Sequence, residues 1–309
     1  MWVSQKMNTL KALAPYLLYL SLLSSGCEKD PSAIEHAPIP EGSWNIYTPY
    51  DWSHDGRPYQ SEYCIVFSDG ASGALKMKAA ELTDQSFTEI MGMFNFTNQE
   101  DFRLPPENDK INIYINQNHE PNVVAAYWGN LIVTIRTPDF DRGHYAYLFK
   151  HELTHEFQFM IEGRENLGTD VWFREGIAIY CGGGMNYIRT VGDLDNWISQ
   201  NAQFPNYGNP ISIHRWADFP EGSDISGYYT VFDIVMKYIL DPNGLGKSLD
   251  DVLSLFYDLR RGYSFRNSFL HHFEISLTEF ENQIFDRLRI YLSQNPPVKN
   301  QYIQNWDIH

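Results

Sequence analysis

Lys150-His151-Glu152-Leu153-Thr154-His155-Glu156-Phe157 decides the reading of this chain of 309 residues. It contains HExxH, two histidines four positions apart with a glutamate beside the first. Four residues make about one helical turn, so His151 and His155 share a helix face. Two imidazole nitrogens on one face can fill two corners of a zinc tetrahedron, and Glu152 beside that face can act as general base toward a water held there. The flanks agree with a helix. Tyr145, Leu148, Phe149, Leu153, Phe157 and Met160 recur at three- and four-residue steps, which marks a largely buried helix. Asp139 or Asp141 is placed to cap its start and Gly163 to end it. The competing reading is a core helix whose histidines are merely hydrogen-bonded.

A catalytic zinc takes three protein ligands and leaves one position open. Glu175 follows His155 after nineteen intervening residues, in Asp170-Val171-Trp172-Phe173-Arg174-Glu175-Gly176-Ile177-Ala178-Ile179-Tyr180. This stretch reads as a second helix, capped by Asp170 and stopped by Gly182-Gly183-Gly184. No lysine follows those glycines at phosphate-loop spacing. Among Trp172, Phe173, Ile177, Ala178 and Ile179 a buried carboxylate is costly unless paired or bound to a metal. The alternative pairs Glu175 with Arg174 or another cation at the surface.

HExxH followed by W-x-x-E-G-x-A-x-Y resembles the gluzincin metallopeptidases, and most closely their peptidase MA-like group. By order of elements the resemblance spans roughly residues 60 to 292. It implies one zinc per chain on His151, His155 and Glu175, with Glu152 as the base. Thermolysin-type enzymes carry an aspartate one turn after the glutamate ligand, where this chain has Ile179. A carboxylate supporting the histidines must then come from elsewhere, and Glu156 is the nominee. The resemblance also implies an oxyanion donor from a later helix. Register against the family pattern places it at Tyr229, with Tyr228 and His214 as alternatives. Ala125-Ala126-Tyr127-Trp128 stands where gluzincins hold substrate backbone on a sheet edge, so main-chain atoms of Ala126 and Trp128 are the expected substrate contacts, an ordinary hairpin being the alternative.

Composition sets the surroundings. Apolar residues make up 43% of the chain and aromatic residues 15%, enough for a sizeable core. A net charge of −16 argues against nucleic acid as partner and against electrostatic binding to anionic lipid. Residues 1–26 read as a signal peptide: Lys6 and Lys11, an apolar run from Ala12 to Leu23 too short to span a bilayer comfortably, then Ser24-Ser25-Gly26-Cys27. Small residues before a cysteine resemble a bacterial lipoprotein signal, which implies a lipid anchor on Cys27 at the cell envelope, facing periplasm or exterior, an ordinary secretory signal with an incidental cysteine being the alternative. Removing residues 1–26 takes away two lysines and no acid, moving the net charge from −16 to about −18. Residues 27–43, with Pro31, Pro38 and Pro40, read as a tether, and residues 44–309 as the metallopeptidase domain. Cys64 and Cys181 are free to pair or not in such a compartment.

The expected fold is α+β and zincin-like. Strands are expected over 62–68 and 110–116 and from Leu131, with a helix over 74–94 between the first two. Helices are then expected over 193–200, 228–240, 248–259 and 277–292. A small mixed sheet should pack on the HExxH helix, with a mostly helical C-terminal half closing the cleft. The expected function is zinc-dependent hydrolysis of protein or peptide substrates outside the cytoplasm. Two alternatives stand beside it: a ligand-binding surface lipoprotein with a structural or decayed zinc site, and a zinc hydrolase of non-peptide amide bonds in cell-wall or glycan material.

Overall fold

The computed structural model describes residues 58–68, 71–96, 110–116, 124–127, 130–134, 142–162, 168–201, 211, 213–215, 218–219 and 225–295. The expected signal peptide, Cys27 and the tether lie outside the described residues, as do Asp139, Asp141, Gly163 and Trp128.

The protein is α+β. Among the described residues five strands form one mixed sheet in the order β1-β2-β3-β5-β4. They are β1 (Tyr59–Gln60), β2 (Cys64–Ser68), β3 (Ile111–Asn116), β4 (Val124–Tyr127) and β5 (Asn130–Thr134). β2, β3 and β5 run parallel, while β1 and β4 pair antiparallel at the two edges. A parallel pair needs a crossover, and α1 (Gly73–Met93) supplies the one between β2 and β3. The Ser72 side chain caps α1 by accepting the Leu75 N–H at 3.2 Å. In β3 the alternation sends Ile111, Ile113 and Ile115 into the core, and Tyr114 stacks on Phe67 of β2.

α2 (Arg142–Glu162) carries HExxH and packs on α1, on β4 and on α3 (Val171–Gly182). Its residues 151–158 are all buried, polar ones included. A helix closed in on all sides must satisfy its polar groups internally or through a ligand. α4 (Val191–Asn201), α5 (Ile225–Leu240), α6 (Leu249–Arg260), α7 (Phe265–Phe273) and α8 (Leu277–Gln294) complete the C-terminal half. The expected helix at 248–259 is α6, closed by a Ser248–Asp251 capping box.

α3 is fastened by its aromatic residues. Trp172 stacks on Phe280 of α8, and Phe173 meets Phe256, Phe265, Phe269 and Phe273 of α6 and α7. Its start differs from the expectation. Asp170 holds the N-cap position but its side chain makes no cap bond. Its carboxylate takes His214 Nδ1 at 2.7 Å. The Val171 and Trp172 N–H groups instead donate to the carbonyls of His214 and Ile213, both at 3.2 Å. A segment distant in sequence thus closes the helix end. At the other end Gly183 caps at φ 114, a conformation that favours glycine. Asp233 of α5 holds the next turn, accepting the Met185 and Asn186 N–H groups and the Lys237 ammonium.

Cys64 and Cys181 are both free and buried. Burial pushes the Cys64 thiol up to about 11 and the Cys181 thiol up to about 12, so both are neutral near pH 7 and unreactive as nucleophiles.

Candidate metal centre

α2 and α3 meet through their polar residues. His151 Nε2 lies 3.5 Å from Glu175 Oε2, and His155 Nε2 lies 3.3 Å from the same oxygen. All three residues are buried. Their donor atoms, one from each residue, fall within 4.8 Å of one another. A tetrahedral zinc with bonds of about 2.0–2.1 Å separates its ligands by about 3.3 Å, so the observed spacings fit the edges of such a site. The donor types fit as well, two imidazoles and a carboxylate. Arg174 Nε stands 3.7 Å from the other carboxylate oxygen of Glu175. The expected alternative partner Arg174 does pair with Glu175, but not at the surface: the carboxylate is interior and also faces both histidines.

The electrostatics follow from that closeness. Burial works to raise the Glu175 carboxyl, but the charge and hydrogen bond of His155 and those of His151 outweigh it and hold it well below the usual carboxylate range. Burial works to lower His155, but Glu175, Glu152 and Gln158 carry it up to about 9. The pocket thus favours a positive charge between its carboxylates, by proton or by metal. Glu152 is buried beside them, and its charge is felt at His155 and Tyr229.

The three candidates for the oxyanion donor are placed differently. Tyr229 stacks on His151 with ring centroids 6.0 Å apart, and its hydroxyl hydrogen-bonds Glu175. Burial first, then Glu175, raises its phenol well above the ordinary value. Tyr228 turns the other way, its ring set edge-on against Trp197 and Phe219. His214 is occupied by Asp170 at the start of α3. Of the expected substrate contacts, Ala126 lies in β4, the edge strand of the sheet, which packs on α2.

Three residues at the site were not singled out from the sequence. Gln158 holds His155: its Oε1 lies 3.1 Å from Nδ1. Glu156, nominated for such a role, is fully buried on the same helix, but the partner on His155 Nδ1 is Gln158. Tyr147, one turn before His151, sets its ring 5.9 Å from that histidine; its place at i−4 was the available signal. Gly176 lets α5 approach, since a Cβ there would stand 3.1 Å from the Phe232 carbonyl oxygen. No protein-family model and no curated protein matches the chain.

Proposed function

We propose that this protein is a zinc-dependent metallopeptidase of the gluzincin type, on a zincin-like fold. The observation that carries the reading is Glu175 Oε2, buried within 3.5 Å of both histidine Nε2 atoms. His151, His155 and Glu175 are the residues that would hold one zinc ion. Bound there, zinc supplies Lewis acidity toward a scissile carbonyl and acidifies a water.

The protein's own groups account for the rest. Glu152 takes a proton from the attacking water and returns it to the leaving nitrogen. Tyr229 donates its hydroxyl hydrogen to the oxygen on which charge develops, exchanging its resting bond to Glu175 for that one. Edge strand β4 offers main-chain groups, at Ala126 among others, for pairing with an extended peptide. The intact general base favours an enzyme over a structural metal site, which needs none.

The mature chain is further proposed to be held at a bacterial envelope by acyl chains on Cys27. Among the described residues no helix is long and apolar enough to cross a membrane. The deciding experiment is a peptide-library digest with and without chelator, run beside casein, peptidoglycan and mucin. Chelator-sensitive cleavage of peptides supports the reading. Turnover of peptidoglycan or mucin alone transfers the site to another amide bond, and no turnover with bound zinc leaves a structural metal.

A further inference from the structure

We infer that Gln158 is a positioning residue for the metal centre, fixing which nitrogen of His155 is bare and tying the Glu175 helix to it. The inference rests on the reading that His151, His155 and Glu175 hold a metal.

Gln158 lies three positions after His155 on α2, so the two share a face. Its side chain spans the gap between α2 and α3. Nε2 donates to the Arg174 carbonyl at 3.1 Å, and Oε1 faces His155 Nδ1 at 3.1 Å. An amide has two unlike ends, an oxygen that only accepts and an NH2 that only donates. The Arg174 carbonyl can only accept, so the NH2 end must face it. That leaves the oxygen toward His155, whose Nδ1 must then carry a hydrogen. With Nδ1 protonated, the neutral ring has its lone pair on Nε2, the atom 3.3 Å from Glu175 Oε2. A backbone carbonyl on one helix thereby dictates the tautomer of a ligand on the other.

The second bond acts on position. Arg174 directly precedes Glu175, so the Gln158 bond pins the backbone next to the carboxylate. Gln158 is 0% exposed, so no solvent competes for either bond. His151 contrasts with this arrangement: its Nδ1 is buried with no hydrogen-bond partner among the described residues. The two histidines are therefore held unequally, and the amide's contribution falls on His155. Groups that orient a ligating histidine are worth about 10- to 100-fold in metal affinity.

The test uses the full chain and zinc itself. Gln158→Met keeps the length and removes both bonds, while Gln158→Glu keeps an acceptor for His155. Zinc affinity is measured by chelator competition, metal-free stability by thermal unfolding, and the His155 Nδ1 hydrogen by the downfield proton spectrum of the zinc form. Gln158→Met is expected to lose about 10- to 100-fold in zinc affinity and the slowly exchanging imidazole N–H signal. Gln158→Glu keeps the acceptor and is expected to restore the His155 N–H signal, while the lost bond to the Arg174 carbonyl leaves the affinity between those of Gln158→Met and wild type. The inference is overturned if Gln158→Met binds zinc as wild type does, or lowers only metal-free stability, or if Gln158→Glu rescues nothing. A wild-type protein that takes up no zinc would overturn the metal reading as well, an outcome visible before any variant is made.

Discussion

Gly176 lies so close to Phe232 that a methyl group on its α-carbon would stand 3.1 Å from the Phe232 carbonyl oxygen and 3.3 Å from the Met236 methyl. The oxygen is backbone of α5 and cannot swing aside. Alanine at a helical position is worth about 1 kcal/mol over glycine, whereas forcing atoms into a packed interface costs about 1–3 kcal/mol. The clash is expected to win. Gly176→Ala should be net destabilising by roughly 1 kcal/mol in denaturant unfolding, and turnover should fall further as Tyr229 is displaced with α5. A variant more stable than wild type would show that the helices can part freely.

Glu152 is not a ligand in the proposed scheme. Glu152→Gln should retain about one zinc per chain and lose nearly all turnover, while His155→Ala and Glu175→Ala should lose both. Metal analysis of the three proteins separates the roles. Full zinc occupancy in Glu175→Ala would remove Glu175 from the ligand set.

Tyr229 is the tyrosine turned to His151, and Tyr228 the one turned to Trp197. Tyr229→Phe should leave zinc bound and KM little changed while kcat falls on the order of a hundredfold, the size of one lost oxyanion donor. Steady-state kinetics beside Tyr228→Phe and His214→Ala test the choice. Wild-type kcat in Tyr229→Phe would move the role to whichever of the other two loses it.

Glu281 of α8 shares a half-buried cluster with Asp170 and His214. Burial raises its carboxyl most, His214 works against that and Asp170 with it, and the balance stands at about 7 against an ordinary 4.5. Between those values the folded chain keeps a proton that the unfolded chain has released. This group's contribution is therefore most favourable below pH 4.5 and is lost as pH rises through 7. Glu281→Gln should stabilise the protein by on the order of 2 kcal/mol above pH 7 and by little near pH 4.5. Thermal unfolding at both pH values checks the sign, and an equal shift at both would sink the idea.

The proposed anchor has a separate test. The apolar run ending in Ser24-Ser25-Gly26-Cys27 motivates the expectation that Cys27→Ala blocks maturation or releases the protein from the membrane fraction. Unchanged membrane association together with unchanged mass would exclude lipidation.

The sequence showed the long elements because their apolar residues repeat at helical or strand period. α1 to α6 and α8 lie within a few residues of where periodicity placed them. α7 was missed because Arg266, Asn267, His271 and His272 dilute the signal of Phe265, Phe269 and Phe273, which do recur at four-residue steps behind a Ser264 cap. β1 has two residues and no period to show. At the site, residue types were legible and pairings were not. Glu156 drew notice as a carboxylate near the histidines, yet the group on His155 Nδ1 is the amide of Gln158, chosen by a carbonyl sixteen positions away. The carbonyls of Ile213 and His214 that close α3 likewise leave no mark in sequence, because any residue has one.

His151, His155, Gln158 and Glu175 all lie on two consecutive helices, α2 and α3, whereas Tyr229 arrives on α5. Contacts between chain neighbours cost less loop-closure entropy and form earlier than contacts across a long separation. A folding chain can thus gather the proposed zinc ligands in one helical hairpin while the tyrosine is still adrift. In the proposed scheme metal capture then comes before catalytic competence, and the docking of α5 over Gly176 is the step that completes the proposed site.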